Sequence, residues 1–310
     1  MNLQAKLLER FLRYVAITSQ SNAAVKTVPT TSGQRELAEL LKTELADLGL
    51  VDLEISEFSV LTGKLPANLP AGHHAVPAVG WVAHLDTVDV CLNADIHPHV
   101  VANYQGGDIC LNEEKQIFLK VSEHPEIEKY IGQDIVVSDG TSVLGADDKA
   151  AIANVMVALE TLANDKTIYH GDIYVCFVPD EEIGLLGAKA IDFEKFPVDF
   201  AYTIDCCEQG EVVYETFNAG SAEVYIKGIT AHPMSAKGVL VNPTLVATDL
   251  VNSFDRMQTP EHTEGTEGYI WVTAINSNVS EARVNLVIRD HNKVLFEARK
   301  EQIRNAVEFL

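Results

Sequence analysis

Apolar residues recur at helical spacing over residues 1–17, where Leu3, Leu7, Leu8, Phe11, Leu12 and Val15 form one stripe interrupted by Lys6, Glu9, Arg10 and Arg13. A second amphipathic helix is expected over 34–48. Thr31, with Gln34 three residues on, introduces it as a capping box, and Gly49 stops it. Short strand-like runs follow at 55–60 and 76–83. Residues 92–133, rich in His, Pro, Gly, Asn and Glu, read as an irregular excursion. The pattern then alternates: a strand over 134–138, a turn at Asp139-Gly140, a helix over 147–163, and strands over 172–178 and 199–204. Strands alternating with helices of this length predict an α/β domain with a mixed, mostly parallel sheet.

The pattern changes near residue 218. Strand 222–227, helix 243–254, strands 269–274 and 282–288, and helix 292–309 give β-α-β-β-α. One further strand would complete a ferredoxin-like β-α-β-β-α-β sandwich. The expected organisation is therefore a first domain over 1–217 and an incomplete α+β domain over 218–310. Without that strand, Leu295, Phe296 and Ile303 of the last helix are expected to stand uncovered.

Composition narrows the function classes. Of 310 residues, 23 are Lys or Arg and 45 are Asp or Glu, a formal charge of -22. No basic face is available for a polyanion, so nucleic acid is not an expected partner. No apolar run reaches the roughly 20 residues of a membrane span, and the charged N-terminal stripe is not a signal peptide. Five cysteines, an odd number with no CxxC pair, argue against a disulfide framework and for a reducing cytoplasm.

Chemistry concentrates where predicted strands end. Trp81-Val82-Ala83-His84-Leu85-Asp86 closes an apolar strand with His-x-Asp. Positions two apart on a strand share a face, so Asp86 can orient the His84 imidazole or a neighbouring group. Gly145-Ala146-Asp147-Asp148-Lys149 opens an apolar helix. One Asp there serves as an ordinary helix cap, but two acids after a glycine turn suit a cation, and one carboxylate can bridge two ions. Pro179-Asp180-Glu181-Glu182 follows strand 172–178 directly. Three acids there are costly to hold together without a cation, and two adjacent Glu side chains can divide the roles of ligand and base. Asp205 ends the strand over 199–204, and His232 precedes Pro233 in the second domain. Each feature alone is compatible with a polar cap, a solvated turn or a surface loop. Together, His84, Asp147, Glu182 and Asp205 all fall at strand ends or helix starts and are expected on one edge of one sheet.

With these motifs the chain resembles the co-catalytic zinc metallopeptidases of the peptidase T kind, the tripeptide aminopeptidases. The resemblance runs from LLERFLRYV through HLDT, YQGGDI, VLGADDKA, FVPDEEIG, ETFNAG, HPMSAKGV and TEGTEGYI to IRD and FEARK. It implies a catalytic α/β domain with an inserted ferredoxin-like lid, and two zinc ions. One ion takes His84, Asp147 and Asp205, the other Asp147, Glu182 and a later His. Glu181 matches the general base and Asp86 the acid that supports the metal site. His232 and Arg289 match lid residues that contact substrate. Short peptides, tripeptides especially, are the implied substrates, and a homodimer through the lid the implied assembly. Two departures stand out. Cys206-Cys207 replaces the glycines that many relatives carry after the ligand Asp, so that thiols could add a further zinc ligand. No C-terminal His motif follows His291, so the last zinc ligand and final lid strand are expected to be missing and activity weak. The alternatives are an inactive member that binds one zinc or none, and an amidohydrolase acting on N-acylated amino acids.

Overall fold

A computed structural model describes residues 2–205 and 210–310. The chain divides into two compact units, Met1–Cys206 and Cys207–Leu310. The division falls ahead of the expected 217/218 boundary; the stretch before the second unit's first strand exposes Val212, Val213 and Tyr214.

In the first unit, α1 (Leu3–Val15) and α2 (Ser32–Asp47) precede β1 (Val51–Ile55), β2 (Leu61–Leu65) and β3 (Val79–His84). The expected strand at 55–60 is instead the turn between β1 and β2. Ser59 adopts a left-handed φ of 64°, and Ser56 N–H donates to the Val60 carbonyl, closing an antiparallel pair. The 92–133 excursion carries order of its own. β4 (His99–Val101) pairs with β7 (Ile135–Val137), and β5 (Ile109–Asn112) pairs with β6 (Ile117–Leu119), over a small core of Tyr104, Ile109 and Ile127. Then come α3 (Ala146–Asn164), β8 (Ile173–Val178) and β9 (Phe200–Thr203).

The central sheet has the order β1-β2-β8-β3-β9. It is mixed: β1, β2 and β8 pair antiparallel, whereas β8, β3 and β9 run parallel. The parallel half places the carboxyl ends of three neighbouring strands together. The main core lies between this sheet and the helices, with Tyr14, Leu37, Leu41, Ile152, Met156 and Phe177 fully buried. At roughly 1.5–3 kcal/mol for each such side chain, this apolar layer is what holds the strand ends in place.

The second unit folds as β10 (Asn218–Lys227), α4 (Pro243–Asn252), β11 (Tyr269–Ser277), β12 (Glu281–Asp290) and α5 (Lys293–Phe309). Its antiparallel sheet has the order β10-β12-β11. The β-α-β-β-α order is as read from the sequence. One expectation fails: of Leu295, Phe296 and Ile303 in α5, Phe296 and Ile303 are buried against the sheet with Ile288 and Leu286, and Leu295 is exposed.

Candidate metal centre

The three parallel strands deliver their acids to one edge. β3 ends in His84 and leads to Asp86, β8 leads into Pro179–Glu182, and β9 leads to Asp205, while α3 opens alongside with Asp147. Gly145, in the left-handed region at φ 72°, makes that turn; a Cβ there would stand 2.8 Å from Ile96 Cδ1. Asp147 and Asp148 have non-helical backbone angles, and no side chain caps the helix. The helix-cap role open to Asp147 in the sequence is therefore not taken.

His84 Nε2 lies 2.8 Å from Asp147 Oδ1 and 3.6 Å from Asp205 Oδ1. The other ring nitrogen, Nδ1, sits 3.0 Å from the Asp86 carbonyl oxygen and 3.3 Å from Asp86 Oδ1. Both ring nitrogens thus face oxygen acceptors, and with a metal at Nε2 the acceptors on the Nδ1 side would hold the remaining ring proton there. Donor atoms of His84, Asp147 and Glu182 lie within 4.8 Å of one another, as do those of His84, Glu181 and Asp205 and those of Asp147, Asp148 and Asp205. Glu181 and Glu182 thus both reach the cluster.

Asp86 is fully buried and has a different task. Its Oδ1 accepts the Glu181 N–H at 2.9 Å and its Oδ2 the Glu182 N–H at 3.2 Å. One carboxylate therefore faces the imidazole and fixes the turn that carries both glutamates. Burial opposes its charge, but hydrogen bonds from His84 and from the Glu181 backbone hold it below the usual carboxylate range.

Elsewhere the crowding of acids disfavours charge. Burial, reinforced by Asp205 and Asp147, pushes Asp148 up to about 8. Burial and the Asp147 charge push Glu182 to about 7, and burial raises Glu181. Burial works against a charged His84, but the Asp205 and Asp86 carboxylates beside it prevail and lift it to about 12. Six carboxylates around one imidazole need protons or cations to coexist. An N/O donor set of this kind suits a borderline divalent ion, so the residues present fit a metal.

Several contributors are invisible in the sequence pattern. Asp148 Oδ2 accepts the His84 backbone N–H at 2.9 Å, and the Asp147–Asp148 peptide is cis. Lys149, fully buried and lowered by burial to about 7, donates from Nζ to the Ile17 carbonyl. Asp180, read as one of three acids sharing a cation, instead turns to Thr30 and Gln34. Gln34 is accordingly not half of a simple capping box: its Nε2 bonds Thr31 Oγ1 at 3.1 Å as well as Asp180, and Thr31 caps nothing. The doubled acids of GADDKA and PDEE signalled these loops, but not which member faces the cluster.

His232 and Arg289 belong to the second unit and are described there. His232 is exposed, its Nδ1 accepting the Met234 N–H; Arg289 is exposed with its guanidinium 4.6 Å from the Phe217 ring centroid. Cys206 and Cys207, the expected thiols beside the site, lie outside the described residues.

A histidine and carboxylates gathered at the carboxyl ends of parallel strands form a site suited to a divalent metal, and the family matches give its class as a peptidase. Residues 214–310 match the peptidase dimerisation domain, and residues 119–246 match the M42 glutamyl aminopeptidase family. The chain belongs to the peptidase T family and is a metallo-aminopeptidase by class. It is 54% identical over 305 residues to a peptidase T-like protein of Yersinia pestis, covering 98% of this chain and 73% of that protein. It is 43% identical over 303 residues to peptidase T of Fusobacterium nucleatum, covering 97% and 72%. In fold it is similar to a tripeptidase from Staphylococcus aureus, with a TM-score of 0.73 at 23% identity over 99% of this chain and 71% of that one. Among the described residues no helix is long and apolar enough to cross a membrane.

Proposed function

We propose that this chain is a zinc-dependent aminopeptidase that hydrolyses the N-terminal peptide bond of tripeptides. The observation that carries the reading is the His84 imidazole, oriented by Asp86, with its Nε2 facing Asp147 and Asp205 and with Glu182 in reach. In this reading His84, Asp147 and Asp205 would hold one zinc, and Asp147 with Glu182 and donors outside this set would hold a second. When bound, zinc acidifies a water and polarises the scissile carbonyl. Glu181 would accept a proton from the attacking water as its oxygen bonds to the carbonyl carbon, and would pass a proton to the amine nitrogen as the peptide C–N bond breaks, leaving a free amino acid and a dipeptide. Asp86 keeps Glu181 aimed through its backbone N–H. His232 is assigned to the developing oxyanion and Arg289 to the peptide carboxylate, on the resemblance of their motifs.

The names of the relatives support the substrate class, and the match to a dimerisation domain supports a homodimer built through residues 218–310, with 1–217 as the catalytic domain. The cysteine pattern supports a cytoplasmic setting. The test is metal content by elemental analysis beside hydrolysis of tripeptides, longer peptides and N-acylated amino acids. Tripeptide turnover that chelation abolishes and zinc restores is the expected result. Turnover confined to N-acylated amino acids contradicts it.

A further inference from the structure

The turn that carries Glu181 and Glu182 is gripped from two sides, and the second grip comes from the N-terminal segment. Asp180 is fully buried and left-handed, at φ 52°, a conformation that a residue with a Cβ seldom keeps unless its surroundings enforce it. Its Oδ2 accepts the Thr30 N–H at 2.8 Å. Its Oδ1 accepts the Thr30 hydroxyl at 2.5 Å and Gln34 Nε2 at 2.7 Å. In return, Gln34 Oε1 accepts the Asp180 N–H at 2.9 Å. One fully buried primary amide therefore holds residue 180 by its backbone and its side chain at once.

Gln34 is itself fixed. It stands in the first turn of α2, next to Gly33, where a Cβ would lie 1.7 Å from the Thr18 carbonyl oxygen. The segment ahead of it is tied to the loop after β3: Ser19 Oγ donates to the Leu85 carbonyl and Ser21 N–H to the Thr87 carbonyl. The strap that carries Gln34 is thus anchored to the strand that carries His84. Asp86 sets the N–H groups of residues 181 and 182, and Gln34 sets the backbone of residue 180. Loss of the amide would leave a buried N–H and one carboxylate oxygen short of a partner, which favours relaxation of the turn.

We infer that Gln34 is a positioning residue for the Glu181–Glu182 pair, governing turnover and metal affinity while touching neither substrate nor metal. This rests on the reading of those two glutamates given above. Gln34→Met removes donor and acceptor with little change in length. Gln34→Glu alone opposes two carboxylates. Gln34→Glu combined with Asp180→Asn reverses donor and acceptor across the same contact and keeps an acceptor for the N–H of residue 180.

The measurements, on the whole chain well below each variant's Tm, are kcat and KM on a tripeptide and the zinc dissociation constant by chelator competition. Each single substitution is expected to lower kcat and weaken zinc binding by about 10–100-fold, with KM nearly unchanged, and the double variant to recover both. Single variants that keep the unaltered kcat and zinc affinity overturn the inference. So does a double variant that regains the unaltered Tm without regaining zinc affinity. If the single variants do not fold, the double variant decides on the same two readouts. An unaltered chain that binds zinc but cleaves no tripeptide removes the substrate reading alone, and zinc affinity across the variants still judges Gln34.

Discussion

The two units bury polar groups in opposite ways. Among the described residues the first unit buries His84, Asp86, Asp148, Lys149, Asp180 and Gln34, most of them gathered where β3, β8 and α3 meet. The second unit buries Asp290, and pairs it at 2.9 Å with Arg299 beneath Gly268. Buried polar groups cost stability unless each finds a partner, so a unit that collects many of them is organised around chemistry. A unit with one buried ion pair and an apolar core is organised around shape. The candidate residues of the second unit, His232 and Arg289, are accordingly exposed.

The sharpest way to break this contrast is at the base. Glu181→Gln should keep the metal and lower turnover by about 10²–10⁴-fold, whereas Glu182→Gln should lose metal as well. Metal analysis beside steady-state kinetics checks both, and equal metal loss in the two variants would sink the division of roles. In the second unit the largest effect should be purely structural. Arg299→Met strands the buried Asp290 carboxylate and should destabilise that unit by about 3–5 kcal/mol, read by urea unfolding, with the zinc affinity of the first unit unchanged.

Chelation sharpens the same comparison from the other direction. An ion held at 100 times its dissociation constant contributes about 2.7 kcal/mol to whatever unit binds it. Calorimetry with a chelator should therefore lower the unfolding temperature of the first unit and leave the second unit's transition in place. Equal shifts in both transitions contradict a site confined to the first unit.

The smallest effect lies at the rear of the first unit. Glu160 of α3 accepts from Lys6, and from Arg10 at 2.5 Å, which ties α1 to α3. Hydrogen bonds from Lys6 and Arg10 hold its carboxyl below the ordinary 4.5. A depressed carboxyl contributes stability that is present above its unfolded pKa and lost as pH falls through its folded one. Glu160→Gln should thus cost up to about 1 kcal/mol at neutral pH, and the difference should vanish in acid. Urea unfolding of both proteins at several pH values measures it; a gap that widens below pH 4.5 contradicts the sign.

Much of this was legible in the chain because the site obeys local rules. An apolar run followed by an acid or a histidine marks the carboxyl end of a strand, and His84, Glu182 and Asp205 each carry that mark, while Asp147 is marked by the glycine turn that opens α3. The first failure is at 55–60, where Phe58, Val60 and their neighbours look like a strand but Ser59 turns left-handed. Periodicity cannot separate a short apolar turn from a short strand. The 92–133 segment hides β4, β5 and β6 because strands of three or four residues are too short to show a period, whereas β7 falls within the strand expected over 134–138. Asp180, Gln34 and Asp148 were illegible for a different reason. Their partners are distant in sequence: Gln34 meets a residue 146 positions on, and Asp148 reaches back to His84, 64 positions earlier. Two acids side by side announce a site, but only the fold decides which one faces it.

One metal cluster is expected to join β3, α3, β8 and β9. Anomalous diffraction at the zinc absorption edge, on crystals of the zinc-loaded chain, tests it directly. A peak is expected within reach of His84 Nε2 and the carboxylates of Asp147 and Asp205, and a second beside Asp147 and Glu182. Zinc peaks elsewhere, with none in contact with His84 and Asp147, would contradict it.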